Sequence, residues 1–243
     1  MAKIAIVIDD VGMDRTRSAK VLALPAPVTL AFLPYAPDVA EMARHARKIG
    51  HEILVHMPME PMNGGLDPGP VTLMESMTPD DFTKTLDGNL AALDGYVGIN
   101  NHMGSRLTQD PQAMARVMAE LQRRGLLFLD SRTVAQTVAA QVADRYGVPN
   151  ASRDVFLDND PSLSAVRDSL ATLEKTAKHK GFAIAIGHPK DETLAALDEW
   201  LPTLAAKGFA LVPVSALVHE SVSPHPDTLA AAPLAAPPTR SKY

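Results

Sequence analysis

The chain of 243 residues is 46% hydrophobic and 21% charged, the balance of a soluble globular protein long enough for one large core. A formal net charge of -5 gives no basic footprint for nucleic acid. The absence of cysteine excludes disulfides, thiolate metal sites and cysteine nucleophiles. No apolar run reaches the roughly 18 residues needed to span a membrane. The sequence passes from Met1 into strand pattern without the charged, apolar and cleavage regions of a secretory leader. A cytoplasmic protein and one whose leader has been removed both fit that start.

In chain order, apolar runs alternate with helical patterns. "KIAIVI" reads as the first strand, followed by a helix through "RTRSAKVLAL". "PVTLAFLP" is the second strand, and "PDVAEMARHARKIG" a helix stopped by Gly50. "HEILVHMP" is the third strand. "DDFTKTLDGNLAAL" is helical, with Thr78 at the N-cap and Pro79 at the first helical position. Between them, "PMEPMNGGLDPGPVTLMESMTP" has almost no periodicity. A loop of that length in a compact domain is usually functional, and its methionines suit the lining of a cleft.

"YVGIN" is a short fourth strand, "DPQAMARVMAELQRRG" a helix, "LLFLDS" a strand and "VAQTVAAQVADRYG" a helix. Then come the strand "RDVFLD", the helix "LSAVRDSLATLEKTAKHKG", the strand "FAIAIGHP", a helix over "TLAALDEWLPTLAAKG" interrupted by Pro202, and a closing strand "FALVPVS". Eight strands separated by helices make a parallel α/β domain, expected over residues 1–219. Residues 220–243 are rich in Pro and Ala and read as a disordered tail.

Polar residues gather where strands end. Asp9 and Asp10 follow the first strand, and His56 closes the third with Glu60 after it. Asn101, His102 and Arg106 follow the fourth, Asp130 and Ser131 the fifth, Asp158 the sixth and His188 the seventh. In a parallel barrel or sheet these ends share one side, where ligands bind. Each has a plainer reading: a helix cap for Asp9 or Asp10, a turn for "LDND", a surface ion pair for Arg153 and Asp154. Joint placement favours one site. A first shell of Asp and His without sulfur suits zinc or another borderline divalent ion. Such a centre needs a base and an acid, for which Asp9 and His188 are the candidates, with Arg106 holding the base. No G-x-S-x-G elbow and no phosphate-binding glycine loop is present.

Taken together, "IVIDDVG", "GHEILVHMPME" and "FAIAIGHPK" resemble motifs of the NodB-like polysaccharide deacetylase superfamily. "GINNHMGSRLT", "LDSRTV", "RDVFLDND" and "IGHP" resemble its divergent, YibQ-like branch, over residues 3 to about 218. The resemblance implies a distorted (β/α) barrel, a cell-envelope or periplasmic context, and removal of acetyl groups from an N-acetylated polysaccharide by a metal-activated water. It assigns Asp9 as base, Asp10 and His56 as metal ligands and His188 as acid. Where the superfamily has a second motif histidine this chain has Glu60, so His102 or Glu60 supplies the remaining ligand. Asp130 is expected to tune His188, and Asn101, Ser131 and Asp158 to contact the carbohydrate. A non-catalytic carbohydrate-binding or envelope protein on the same scaffold is the alternative.

Overall fold

The computed structural model describes residues 1–219; the tail expected over 220–243 lies outside the described residues. Among the described residues nine parallel strands are joined by helices, except between β6 and β7: β1 Ala2–Val11, α1 Arg15–Leu22, β2 Thr29–Phe32, α2 Val39–Lys48, β3 Glu52–Met59, α3 Pro79–Leu90 and β4 Gly98–Met103 in the first half. The second half runs α4 Pro111–Arg124, β5 Leu127–Asp130, α5 Ala139–Arg145, β6 Asn150–Ser152, β7 Val155–Phe156, α6 Leu163–Lys180, β8 Phe182–Gly187, α7 Asp191–Trp200 and β9 Phe209–Leu211. The expected cap on α3 is present, Thr78 accepting from Asp81 N–H, and Gly125 and Gly181 end α4 and α6 in the left-handed conformation.

The sheet order is β6-β5-β4-β3-β2-β1-β8-β7, with β9 added to β1. Its two edge strands, β6 and β7, are neighbours in sequence. Only Arg153 and Asp154 separate them, and these bridge the edges: Arg153 N–H donates to Asp130 O on β5 at 3.0 Å, and Asp154 N–H to Ile184 O on β8 at 2.9 Å. The sheet is thus a curled parallel half-barrel with a seam, in agreement with the distorted barrel expected from the sequence.

Successive strand residues face opposite sides, which sorts the core in two. Ile4, Ile6, Ile8, Leu30, Phe32, Ile53, Val55, Ile99 and Phe128 pack outward against the helices. Ala5, Val7, Ala31, Leu54, Leu129, Ile184, Ile186 and Val214 fill the interior.

Three expectations are corrected. β6 has no counterpart in the sequence pattern: it has three residues, two of them polar, and follows Pro149. The helix expected over "VAQTVAAQVADRYG" is shorter, beginning at Ala139, because Thr137 turns back to bond Asp130 and the Ala139 N–H. The long loop is anchored rather than loose. Leu73 bridges Met59, with Leu73 N–H on Pro58 O and Glu60 N–H on Leu73 O, both 2.9 Å. Its methionines stay off the central cavity.

Candidate functional site

The interior parity of the strands delivers the site. Asp9 continues the inward series Ala5, Val7; His56 follows Leu54; Asn100 and His102 follow Gly98; His188 follows Ile184 and Ile186. These side chains crown the inner cluster at the C-terminal end of the half-barrel, where all but the fully buried Asn100 line a cavity of about 500 Å³.

Asp10 has the wrong parity for a regular strand. The β1 register slips between Ile8 and Val11, and Asp10 takes φ 56, in the left-handed region. That turn carries its carboxylate back beside Asp9. Met103 and Arg132, at the ends of β4 and β5, also have positive φ, 51 and 50. Each such residue costs on the order of 1–3 kcal/mol, strain that clusters where a fold aims side chains at a ligand.

The centre is a triad. Asp10 Oδ1 lies 3.2 Å from His56 Nε2 and 3.0 Å from His102 Nδ1, and the two ring nitrogens are 3.1 Å apart. Asp10 Oδ1 is buried without a properly directed hydrogen bond, a deficit of about 1–3 kcal/mol if nothing fills it. The tautomer of His56 follows from its neighbours. Asn100 Nδ2 donates to Asp9 Oδ1 at 2.7 Å and to Ser131 Oγ at 3.2 Å, so Asn100 Oδ1 accepts from His56 Nδ1–H at 2.9 Å. A neutral His56 therefore points an Nε2 lone pair at a carboxylate oxygen and a second imidazole. Three ligand atoms within reach of one point can hold a cation between them, and one carboxylate with two imidazoles is a fitting set for a divalent metal. Within the described residues it is the one Asp/Glu/His group spaced to hold an ion.

In the metal-free protein a proton takes the cation's place. Burial alone would lower the His56 pKa, but Asp9, and then the hydrogen bond and charge of Asp10, hold it at about 9. Asp10 is held well below the ordinary carboxylate value: burial opposes ionisation, and the close approach and charge of His102 and His56 outweigh it. A metal bound by this triad would therefore have to displace the His56 proton at neutral pH. Calorimetric titration with Zn²⁺ in buffers of different ionisation enthalpy is expected to show about one proton released per ion at pH 7, and an affinity that rises with pH until about 9. Proton release that is zero at pH 7 would contradict this coupling.

Flanking the triad, Asp9 Oδ2 is 3.7 Å from His56 Nε2, and His188 Nε2 is 3.8 Å from Asp10 Oδ2. Asp9 is buried, and that burial raises its pKa against the opposing His56, His188 and Asn100. His188 is raised in net: burial lowers it, but the Asp158 hydrogen bond and the Asp9, Asp158 and Asp10 charges prevail.

Several expected partners are elsewhere. Arg106 does not hold Asp9; its guanidinium lies by Glu60 at 3.5 Å and Glu75 at 4.0 Å, over the long loop. Glu60 is outside the triad, its Oε2 accepting from Glu75 N–H at 2.8 Å and its carbonyl from Arg106 and Leu107. Asp130 does not reach His188. It shares the outward parity of Phe128 and accepts from Arg132 N–H and Thr137 Oγ1 at 2.8 and 2.9 Å.

Asp158 takes the place expected of Asp130: its Oδ1 is 3.0 Å from His188 Nδ1, and its Oδ2 accepts from His188 N–H at 2.7 Å and Thr193 Oγ1 at 2.9 Å. Buried at the ring's back, it is not a carbohydrate contact. Asn101 borders the cavity but is spent on Met103 O and Ser131 N–H. Ser131 also lines it, its Oγ bonded to Asn100.

Asn100, Arg132 and Arg153 were not anticipated at the site. Asn100 has a legible signal, since it lies two residues before His102 and so on the same face. Arg153, which lines the cavity, has none, because its position depends on the seam.

The profile of the family described as divergent polysaccharide deacetylase matches residues 6–218. The uncharacterized protein YibQ of Escherichia coli is 37% identical over 219 residues, 90% of this chain and 68% of its own length. The crystal structure of an uncharacterized protein from Agrobacterium tumefaciens is 33% identical, with TM-score 0.87, covering 89% of each chain. The catalytic domain of a peptidoglycan N-acetylglucosamine deacetylase from Eubacterium rectale has TM-score 0.57 at 16% identity, covering 87% of this chain and 88% of its own, a likeness of fold alone.

Proposed function

The chain belongs to the divergent polysaccharide deacetylase family, and from that premise we propose that it is a metal-dependent hydrolase removing acetyl groups from an N-acetylated carbohydrate. The observation that carries this reading is the triad of Asp10, His56 and His102, spaced to hold a cation, with His56 buried and the other two half-buried, flanked by one carboxylate and one imidazole whose partners leave a single reactive atom each. A divalent ion held by the triad, zinc being the first candidate for such ligands, supplies a polarised carbonyl and an acidified water.

The chain's own groups do the proton work. Asn100 occupies Asp9 Oδ1, so Oδ2 is the atom that accepts a proton from the attacking water. Asp158 occupies His188 Nδ1, so Nε2–H is the atom that donates to the departing amine. Asn100 ties the base to the metal ligand His56, fixing both relative to the reacting carbonyl.

Metal analysis with an acetate-release assay on N-acetylated oligosaccharides tests the reading. Wild-type protein is expected to hold about one divalent ion and to release acetate. Asp10→Ala and His56→Ala are expected to lose at least about 90% of the metal, the scale expected when a first ligand goes. Glu60→Gln is expected to keep it. Full occupancy in both ligand variants, or no acetate from any oligosaccharide with the ion bound, would overturn it.

A further inference from the structure

Among the cavity residues that take no part in this chemistry are two arginines, Arg132 and Arg153. Arg153 sits on the seam between β6 and β7, and its fork is pinned: Nε donates to Ser131 O at 2.7 Å and Nη2 to Arg132 O at 3.0 Å. Its guanidinium carbon lies 4.9 Å from the centre of the Phe156 ring. Nη1 makes no hydrogen bond among the described residues. Arg132 is placed by its left-handed backbone at the end of β5, and its guanidinium has no hydrogen bond or ion pair among the described residues. Both line the cavity that holds Asp9, Asp10 and His188.

Burial and then the neighbouring Arg132 charge depress the pKa of Arg153, with Asp9 and Asp130 opposing, yet neither acid forms an ion pair with it. Two like charges near enough to act on one another, one of them on a rigid fork, are relieved by an anion that accepts from both. Guanidinium donors suit carboxylate and phosphate oxygens. A cavity of about 500 Å³ admits only a small part of a polymer, so an anion bound there belongs to the reacting sugar or its neighbour.

We propose that Arg132 and Arg153 form an anion subsite, and that the substrate is an acidic N-acetylated glycan bearing a carboxylate or phosphate at or beside the acetylated sugar. The deacetylase reading is assumed for the bond cleaved; the anion's recognition stands on the arginines.

Equilibrium binding to the metal-loaded protein tests it with three probes. They are neutral chitotetraose, a hyaluronan tetrasaccharide as the carboxylate arm, and N-acetylglucosamine 6-phosphate as the phosphate arm. At least one acidic probe is expected to bind about tenfold or more tightly than the neutral one, with a preference that falls as salt is raised. Arg132→Gln removes a side chain that bonds nothing among the described residues, so it probes the subsite without disturbing the fold. It and Arg153→Gln are each expected to bring the ratio toward one, while Arg153→Lys retains part of it. Equal or tighter neutral binding, no measurable binding of any probe, or a preference that survives both Gln variants would overturn the subsite. Acetate release from the neutral oligomer with the same kcat/KM as from acidic substrates also sinks the subsite and leaves the hydrolase standing. An arginine-dependent preference without acetate release does the reverse.

Discussion

Asp9→Asn is expected to lower acetate release by about 10²–10⁴-fold, the range for loss of a positioned general base, with metal content unchanged. The substitution is nearly isosteric. Asn100 Nδ2 now donates to Asp9 Oδ1 at 2.7 Å, and the oxygen of the introduced amide accepts that bond as well. The amide's other terminal atom is an NH₂ group, which cannot take a proton from water. Burial raises the Asp9 pKa above 3.8, ahead of the opposing His56, His188 and Asn100. The acid limb of the wild-type pH profile should therefore report Asp9 losing its proton, at a higher pH than for a solvated carboxylate. In the variant that limb disappears along with the rate. Undiminished turnover in metal-loaded Asp9→Asn would remove Asp9 from the proton path.

What could be read from the sequence divides along local and tertiary lines. The alternation of apolar runs with helical patterns is local, and so the parallel architecture and strand ends were legible. The side-chain period was legible too, and carried further it separates Asp130 from the site. Leu127 and Leu129 face the interior, so Asp130 must face the helices with Phe128. The same count puts Asn100 beside His102. Asp10 breaks the rule, and only its left-handed backbone explains how adjacent acids meet at one point. Arg106 and Arg153 exchange expected places for a tertiary reason. Arg106 is drawn onto the long loop by Glu60 and Glu75, while Arg153 enters the cavity because the sheet curls until its two edges are a dipeptide apart. Neither closure of a sheet nor the path of an aperiodic loop is encoded in a short window of residues.

Asp158→Asn is the second large effect, expected at about 10²–10⁴-fold on turnover, the scale for loss of a general acid. Asp158 Oδ2 is fixed by two donors, His188 N–H and Thr193 Oγ1–H. The amide oxygen of the variant must stay there, because turning the NH₂ toward two donors would strand them at about 1–3 kcal/mol each. Its NH₂ therefore faces His188 Nδ1, the atom Asp158 Oδ1 now contacts at 3.0 Å. The imidazole is forced to accept at Nδ1 and to keep its one proton at Nε2 as a neutral ring, a far weaker acid than the imidazolium. The pH dependence has a definite sign. The His188 pKa is raised above 6.5 because the Asp158 hydrogen bond and the charges of Asp9, Asp158 and Asp10 outweigh burial. Removing the Asp158 contributions leaves burial less opposed, so the pKa falls and the alkaline limb moves to lower pH. Metal content should not change, since Asp158 touches no member of the triad. A merely structural role for Asp158 would lower stability without moving that limb, and an unmoved limb at wild-type turnover would exclude His188 as the proton donor that Asp158 holds in place.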